Sequence, residues 1–175
     1  MFVYGEKVQL RALEPEDVDI LYRWENNREA WHLSRTLTPF SRFDIEQYVL
    51  NAEKDIFADK QVRMMIDKKN GGETVGAVDL FEYDPLHRRA GIGIMILESQ
   101  RGQGLAGEAI RLVKDYCFQT LMLHQVFANI LAGNEKSIRL FEKAGFSLSG
   151  KKRDWVRHGN TWKDELFYQL INPEF

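Results

Sequence analysis

Val8, Leu10 and Ala12 alternate with Lys7, Gln9 and Arg11, the two-residue period of a strand with one buried face. Pro15 follows where a first helical turn accepts proline, and Glu14, Glu16 and Asp17 suit the positive end of a helix. Val18, Leu21 and Tyr22 then supply a helical stripe running towards Trp24. From Glu25 to Phe40 no clean period holds; Asn26, Asn27, Trp31, His32 and Pro39 mark a loop or broken helix of the kind that shapes substrate sites. Ser41–Asp44 has the form of a capping box, which Ile45, Val49, Ala52 and Ile56 continue at helical spacing.

Alternation returns at Val62, Met64 and Ile66, and Asn70-Gly71 marks a tight turn before Thr74–Tyr83, so the pair predicts a β-hairpin. Asp84-Pro85 closes it. The run Ala90–Leu97 is apolar on both faces, which places it in the middle of a covered sheet. A helix follows, with Ala106, Ala109, Ile110, Val113, Tyr116 and Cys117 along one stripe, and then a strand through Val126, Ala128, Ile130 and Ala132. A helix between two strands predicts that they run parallel. Asn134 is a helix cap, Ile138, Phe141 and Ala144 form an inner stripe, and Gly145 ends the helix. Phe146–Val156 and Trp162–Ile171 read as two last strands around His158–Asn160. With no repeat or linker composition, the expectation is one α/β domain over residues 1–175 with a mixed sheet.

Composition narrows the partners. The 24 basic and 26 acidic residues nearly cancel, which gives no large basic field and disfavours nucleic acid. No apolar run reaches the length of a membrane-spanning helix, and no basic-then-apolar leader opens the chain, so a cytoplasmic protein without membrane contact is expected. The single cysteine, Cys117, lies among Tyr116, Phe118 and Leu121 and reads as a buried, inert thiol. His32, His87, His124 and His158 lack metal-ligand spacing, so no metal site is expected.

Candidate chemistry concentrates in Ile92–Gly107, a buried strand leading through glycines 102, 104 and 107 into a helix. The first turn of a helix presents unpaired N–H groups and a positive dipole end, which suit a phosphate or pyrophosphate. Gly102–Gly107 also spells G-x-G-x-x-G. A dinucleotide fold further needs an acid at the end of the next strand to hold a ribose, and Gln125–Ala132 contains none. No Lys-Ser or Lys-Thr pair follows, which excludes a Walker loop. The plain alternative, glycines that only permit a tight connection, stays open on these residues alone.

Arg101–Ala106 resembles the R-x-x-G-x-A acetyl-CoA signature of the GCN5-related N-acetyltransferase (GNAT) superfamily. Asn134–Phe146 is similar to its N-x-x-S helix with a G-F ending. The likeness runs from Gly76 to Gly150 and is nearest to the spermidine/diamine and ribosomal-protein N-acetyltransferases. It implies a mostly antiparallel sheet of about seven strands, helices on both faces, and a splayed parallel pair formed by Arg89–Leu97 and Gln125–Ala132. It implies acetyl-CoA as co-substrate. Backbone groups of Met95, Ile96 and Leu97 would face the pantetheine arm, and one free N–H there would hold the thioester oxygen. Arg101, Gly102, Gln103, Gly104, Leu105, Ala106 and Gly107 would surround the pyrophosphate. Asn134, Ser137, Phe141 and Lys143 would lie along the cofactor, with Asn134 equally able to serve as a plain cap.

The same resemblance implies transfer of an acetyl group to a primary amine, a polyamine or diamine ahead of a protein N-terminus. Many members carry a tyrosine acid where this chain has Phe141, which cannot donate a proton. Ser137 is then the candidate acid, or a module that binds acyl-CoA without catalysis is the alternative. Asp79 and Glu82 match acids of the spermidine enzymes, with Glu98 just past the strand, and could draw in a cationic amine. Relatives often form dimers or rings, so a homo-oligomer is also implied.

Overall fold

Among the described residues, eight strands form one sheet in the order β1-β2-β3-β4-β5-β6-β8-β7. The computed structural model describes residues 2–27, 38–52 and 56–174. These divide into two compact units, Met1–Ala12 with Ile56–Phe175, and Leu13–Asp55.

The first unit carries the sheet: β1 (Phe2–Tyr4), β2 (Val8–Ala12), β3 (Val62–Lys68), β4 (Thr74–Asp84), β5 (Arg89–Ile96), β6 (Gln125–Leu131), β7 (Ser147–His158) and β8 (Thr161–Ile171). Neighbours run antiparallel except β5 and β6, which are parallel as their helical crossover predicts. The count exceeds the expected seven by β1, three residues long and too short to show a period. The sequence-predicted hairpins at Asn70-Gly71 and His158–Asn160 are both present.

Helix α4 (Leu105–Asp115) lays its stripe on one face of the sheet, and α5 (Glu135–Lys143) follows β6; a four-residue helix, here α3, spans Ile56–Asp59. Val8, Leu10, Val78, Leu80, Ala90 and Ile92 from the strands meet Ala109, Ile110 and Val113 from α4, each fully or almost fully buried. Burying a side chain of this size contributes roughly 1.5–3 kcal/mol, and that holds α4 to the sheet. The second unit contains a 3₁₀ turn (Pro15–Asp17), α1 (Val18–Glu25) and α2 (Arg42–Asn51). Ser41 caps α2 as read: its Oγ accepts the Asp44 N–H at 3.0 Å while Asp44 accepts the Ser41 N–H at 3.1 Å. The Ser41 hydroxyl holds the Asp44 carboxyl below its ordinary pKa. The helix ends at Asn51 with Ala52 as its cap, so Ile56, expected to continue it, starts α3 instead. Trp31 and His32, in the predicted loop, lie outside the described residues.

After α4 the chain widens into a π-helical turn, Tyr116–Thr120, with Cys117 fully buried. Burial pushes its thiol up to about 12. The native protein at pH 8 is therefore expected to react with a thiol reagent at least 100-fold more slowly than the guanidinium-unfolded chain, followed by absorbance. Comparable rates would show that Cys117 is open to solvent.

Candidate active site

The parallel pair is joined over only three positions: Arg89 faces Gln125, Ala90 faces Val126 and Gly91 faces Phe127. Beyond them β5 runs on to Ile96 and β6 to Leu131 without pairing, so a wedge opens between the strands. Its closed end is packed with aromatic rings: Phe127 meets Phe81 edge-on at 5.6 Å and Phe167 at 5.3 Å. The expected splay is present.

Strand alternation decides which backbone groups line the wedge. The Leu97 N–H donates to the Val75 carbonyl at 2.9 Å, so Leu97 points to β4. The adjacent Ile96 carbonyl points the other way and accepts from Arg101 Nε at 3.1 Å. Successive residues of a strand alternate edges, so the N–H groups of Ile94 and Ile96 and the carbonyl of Ile94 face the wedge. Of the three residues expected to present backbone there, Ile96 does so, while the Leu97 N–H is committed to Val75. The sequence does not single out Ile94, because a strand apolar on both faces shows no sign of which edge is open. Met95 lies on the face opposite the core and is 38% exposed.

The glycine turn follows at once. A 3₁₀ turn, Glu98–Gln100, leads through Arg101 to Gly102 and Gly104, whose φ angles of 81° and 80° lie in the left-handed region that glycine adopts without strain. Gly104 is the N-cap of α4 and has no side chain to cap it; the first intrahelical bond runs from Glu108 N–H to Gly104 carbonyl at 3.3 Å. The amides of Leu105, Ala106 and Gly107 therefore point out of the helix end with no intrahelical acceptor. A side chain built on Gly102 or Gly107 would meet nothing within 4 Å, so neither glycine is required by packing. Two glutamines brace the turn: Gln103 Nε2 donates to Gln100 Oε1 at 3.1 Å, and Gln100 Nε2 to Glu73 Oε1 at 3.0 Å.

At the other side stands α5. Asn134 caps it, its Oδ1 accepting the Ser137 N–H at 3.2 Å. Ser137 is half-buried, and among the described residues its hydroxyl has no hydrogen-bond partner. Phe141, one turn on, is 3% exposed and packs edge-on against Phe146 at 5.0 Å, so its ring belongs to the core. Lys143 is exposed.

The two candidate carboxylates differ sharply. Asp79 is held by Arg63 in a two-pronged ion pair, Nε to Oδ1 at 2.7 Å and Nη2 to Oδ2 at 3.0 Å, across register partners of β3 and β4. Both carboxylate oxygens of Asp79 are thereby engaged by the guanidinium. Glu82 is exposed and sits at φ 50° in a β-bulge, where the register of β4 and β5 slips between Phe81 and Asp84. The bulge ends at Asp84, whose Oδ1 accepts the His87 N–H at 2.9 Å, a bond that holds the carboxyl below its usual pKa. Glu98 is exposed. Among the described residues no cluster of histidine, cysteine or acid suits a metal ion, and no helix is long and apolar enough to cross a membrane.

Residues 7–147 match the model of the acetyltransferase (GNAT) domain. The chain is 33% identical over 150 residues to spermidine N(1)-acetyltransferase of Escherichia coli (strain K12), covering 84% of this chain and 76% of that protein. Among solved structures, spermidine N-acetyltransferase from Vibrio cholerae in complex with CoA and spermine superposes with a TM-score of 0.86 at 24% identity, over 95% of this chain and 96% of that one. A dodecameric structure of the Vibrio cholerae enzyme superposes at 0.79 with 25% identity, over 95% of each chain. With the wedge between β5 and β6, the uncapped glycine turn and the Asn134 helix in their expected places, the chain belongs to the GNAT family and is an acetyl-CoA-dependent N-acetyltransferase.

Proposed function

We propose that the chain, acting as a single domain and in a homo-oligomer, acetylates a primary amine of a polyamine or diamine such as spermidine. The observation that carries this is the uncapped turn and open β5 edge, joined to 33% identity with a spermidine acetyltransferase. The dodecamer of the Vibrio cholerae enzyme supports the assembly.

In this reading acetyl-CoA supplies the thioester, and the protein supplies alignment and charge. The amides of Leu105, Ala106 and Gly107, with Gln103 and the exposed glycines beside them, hold the pyrophosphate at the positive end of α4. The N–H and carbonyl of Ile94 pair with the pantetheine amides as an added strand would. The Ile96 N–H is the donor for the oxyanion, a contact that strengthens as charge develops on the oxygen. Glu82, which forms no ion pair among the described residues, attracts the cationic amine and passes its proton to water, while Asp79 with Arg63 shapes the wall. The nitrogen then bonds to the carbonyl carbon, the C–S bond breaks, the nitrogen gives up its second proton, and the thiolate takes one up as the thiol. A thiol of pKa near 8.5 leaves readily, so this last proton is a modest requirement.

Ser137 fits that requirement as the α5 hydroxyl that has no partner among the described residues, in place of the acid that Phe141 cannot be. Ser137→Ala is expected to lower kcat about three- to tenfold with KM for acetyl-CoA unchanged; equal kcat would remove Ser137 from the mechanism. The acceptor is tested by thiol release with spermidine, spermine, diamines, amino acids and N-terminal peptides. Turnover on a polyamine at least tenfold above all peptides is expected. The likeness to ribosomal-protein N-acetyltransferases favours a second reading, a protein N-terminus, which a preference for peptides would establish instead.

A further inference from the structure

Lys7 stands 96 residues before Gln103 in sequence, yet its ammonium donates to the Gln103 carbonyl at 3.2 Å, between the two left-handed glycines. Its Nζ also lies 3.3 Å from where a Cβ on Gly104 would stand. The backbone of Lys7 is fixed from both sides. Its N–H donates to the Glu108 carboxylate at 3.0 Å, which also accepts the N–H of Glu6, and its carbonyl accepts the Lys69 N–H at 2.9 Å. Glu108 is 10% exposed, so this clamp belongs to the first turn of a well-packed helix.

The placement opposes the helix dipole. A cation near a helix N-terminus is unfavourable, and basic side chains are normally found at the other end. The charged groups around Lys7 do not relieve it: Glu108 meets the backbone amides and lies 3.7 Å from Arg111, and the Lys69 ammonium donates to the Gly5 carbonyl at 3.0 Å. Among the described residues no carboxylate pairs with the Lys7 ammonium. A cation without a counter-ion, held beside three outward amides, is complementary to an anion of more than one charge.

We infer that Lys7 is a cofactor-binding residue whose ammonium contacts a phosphate of coenzyme A, so that the β1–β2 turn forms one wall of the phosphate site. This rests on the α4 N-terminus being where the cofactor phosphates bind. Lys7 acts as a point charge there, and Glu108 is the positioning residue that aims it.

Calorimetric titration tests it, with CoA and with dephospho-CoA, on the wild-type protein and on Lys7→Met and Lys7→Arg. Lys7→Met keeps the stem and removes the charge; it is expected to weaken CoA binding 10- to 50-fold with a melting temperature within 2 °C of wild type. Lys7→Arg is expected to restore binding to within about threefold, and the salt dependence of Kd is expected to flatten in Lys7→Met alone. A loss that persists with dephospho-CoA assigns the contact to the pyrophosphate, and one that vanishes assigns it to the 3′-phosphate; either supports the inference. Wild-type affinity in Lys7→Met, or a loss that Arg does not restore, would overturn it. Failure of the wild-type protein to bind CoA would instead overturn the phosphate site at α4 and leave Lys7 no anion to meet.

Discussion

Gly107→Asp is expected to make the protein slightly more stable and nearly unable to hold its co-substrate. Gly107 is the third residue of α4, exposed, with nothing within 4 Å of where its side chain would start. Glycine inside a helix costs about 0.3 kcal/mol relative to aspartate, and an acid in the first turn adds about 0.3–1 kcal/mol through the dipole. Folding alone would therefore disfavour the glycine. The same carboxylate would stand within roughly 5 Å of a bound pyrophosphate carrying two negative charges. At an effective dielectric near 40, that repulsion is about 3 kcal/mol, or on the order of 100-fold in affinity. Melting temperature should rise by about 1–3 °C while Kd for CoA rises 30- to 100-fold or more. Thermal melts and calorimetry on one preparation read both. Unchanged Kd would move the phosphates away from this helix end.

Local signals in the chain reveal most of the frame and little of what tunes the site. The period-two runs at Val8–Ala12 and Val62–Ile66, the Asn70-Gly71 turn and the α4 stripe each lie within a dozen residues, so periodicity finds them. The splay of β5 from β6 came through the resemblance carried by Arg101–Ala106 and Asn134–Phe146, since nothing in Ile92–Ile96 itself tells a paired edge from an open one. The bulge leaves no mark in the sequence, because its left-handed residue is Glu82, not a glycine that would advertise it. Arg63 with Asp79 is a product of register, visible only when β3 and β4 are laid side by side. Lys7 carries no local signal at all, because its partner is Gln103. The distant contacts are those that set charge at the site, and they are the ones a one-dimensional pattern cannot display.

Gly76→Ala is expected to damage both fold and catalysis, although it adds one methyl group. In β4, Gly76 faces Ile96, and a Cβ built on it would collide with the Met95 carbonyl while lying 2.9 Å from Ile96 Cδ1 and 3.1 Å from Ile96 Cα. A side chain could swing aside; a ladder carbonyl cannot without breaking the strand pairing. Overpacking of this kind costs about 1–3 kcal/mol, and backbone displacement places it at the upper end. For a protein of 175 residues that lowers the melting temperature by roughly 5–10 °C. The shift falls on Met95–Ile96, whose N–H is the proposed oxyanion donor. Removing one such donor costs about 100- to 1000-fold in kcat, and misplacing it by several tenths of an ångström should cost at least tenfold. Gly93→Ala supplies the contrast on the neighbouring strand. Its Cβ would meet Phe81 and Asp79 at 3.8 and 3.9 Å, ordinary contact, so stability is expected to change by less than about 0.5 kcal/mol. If both variants melt together with wild type and turn over normally, the close approach of β4 to Ile96 is not what fixes the β5 edge.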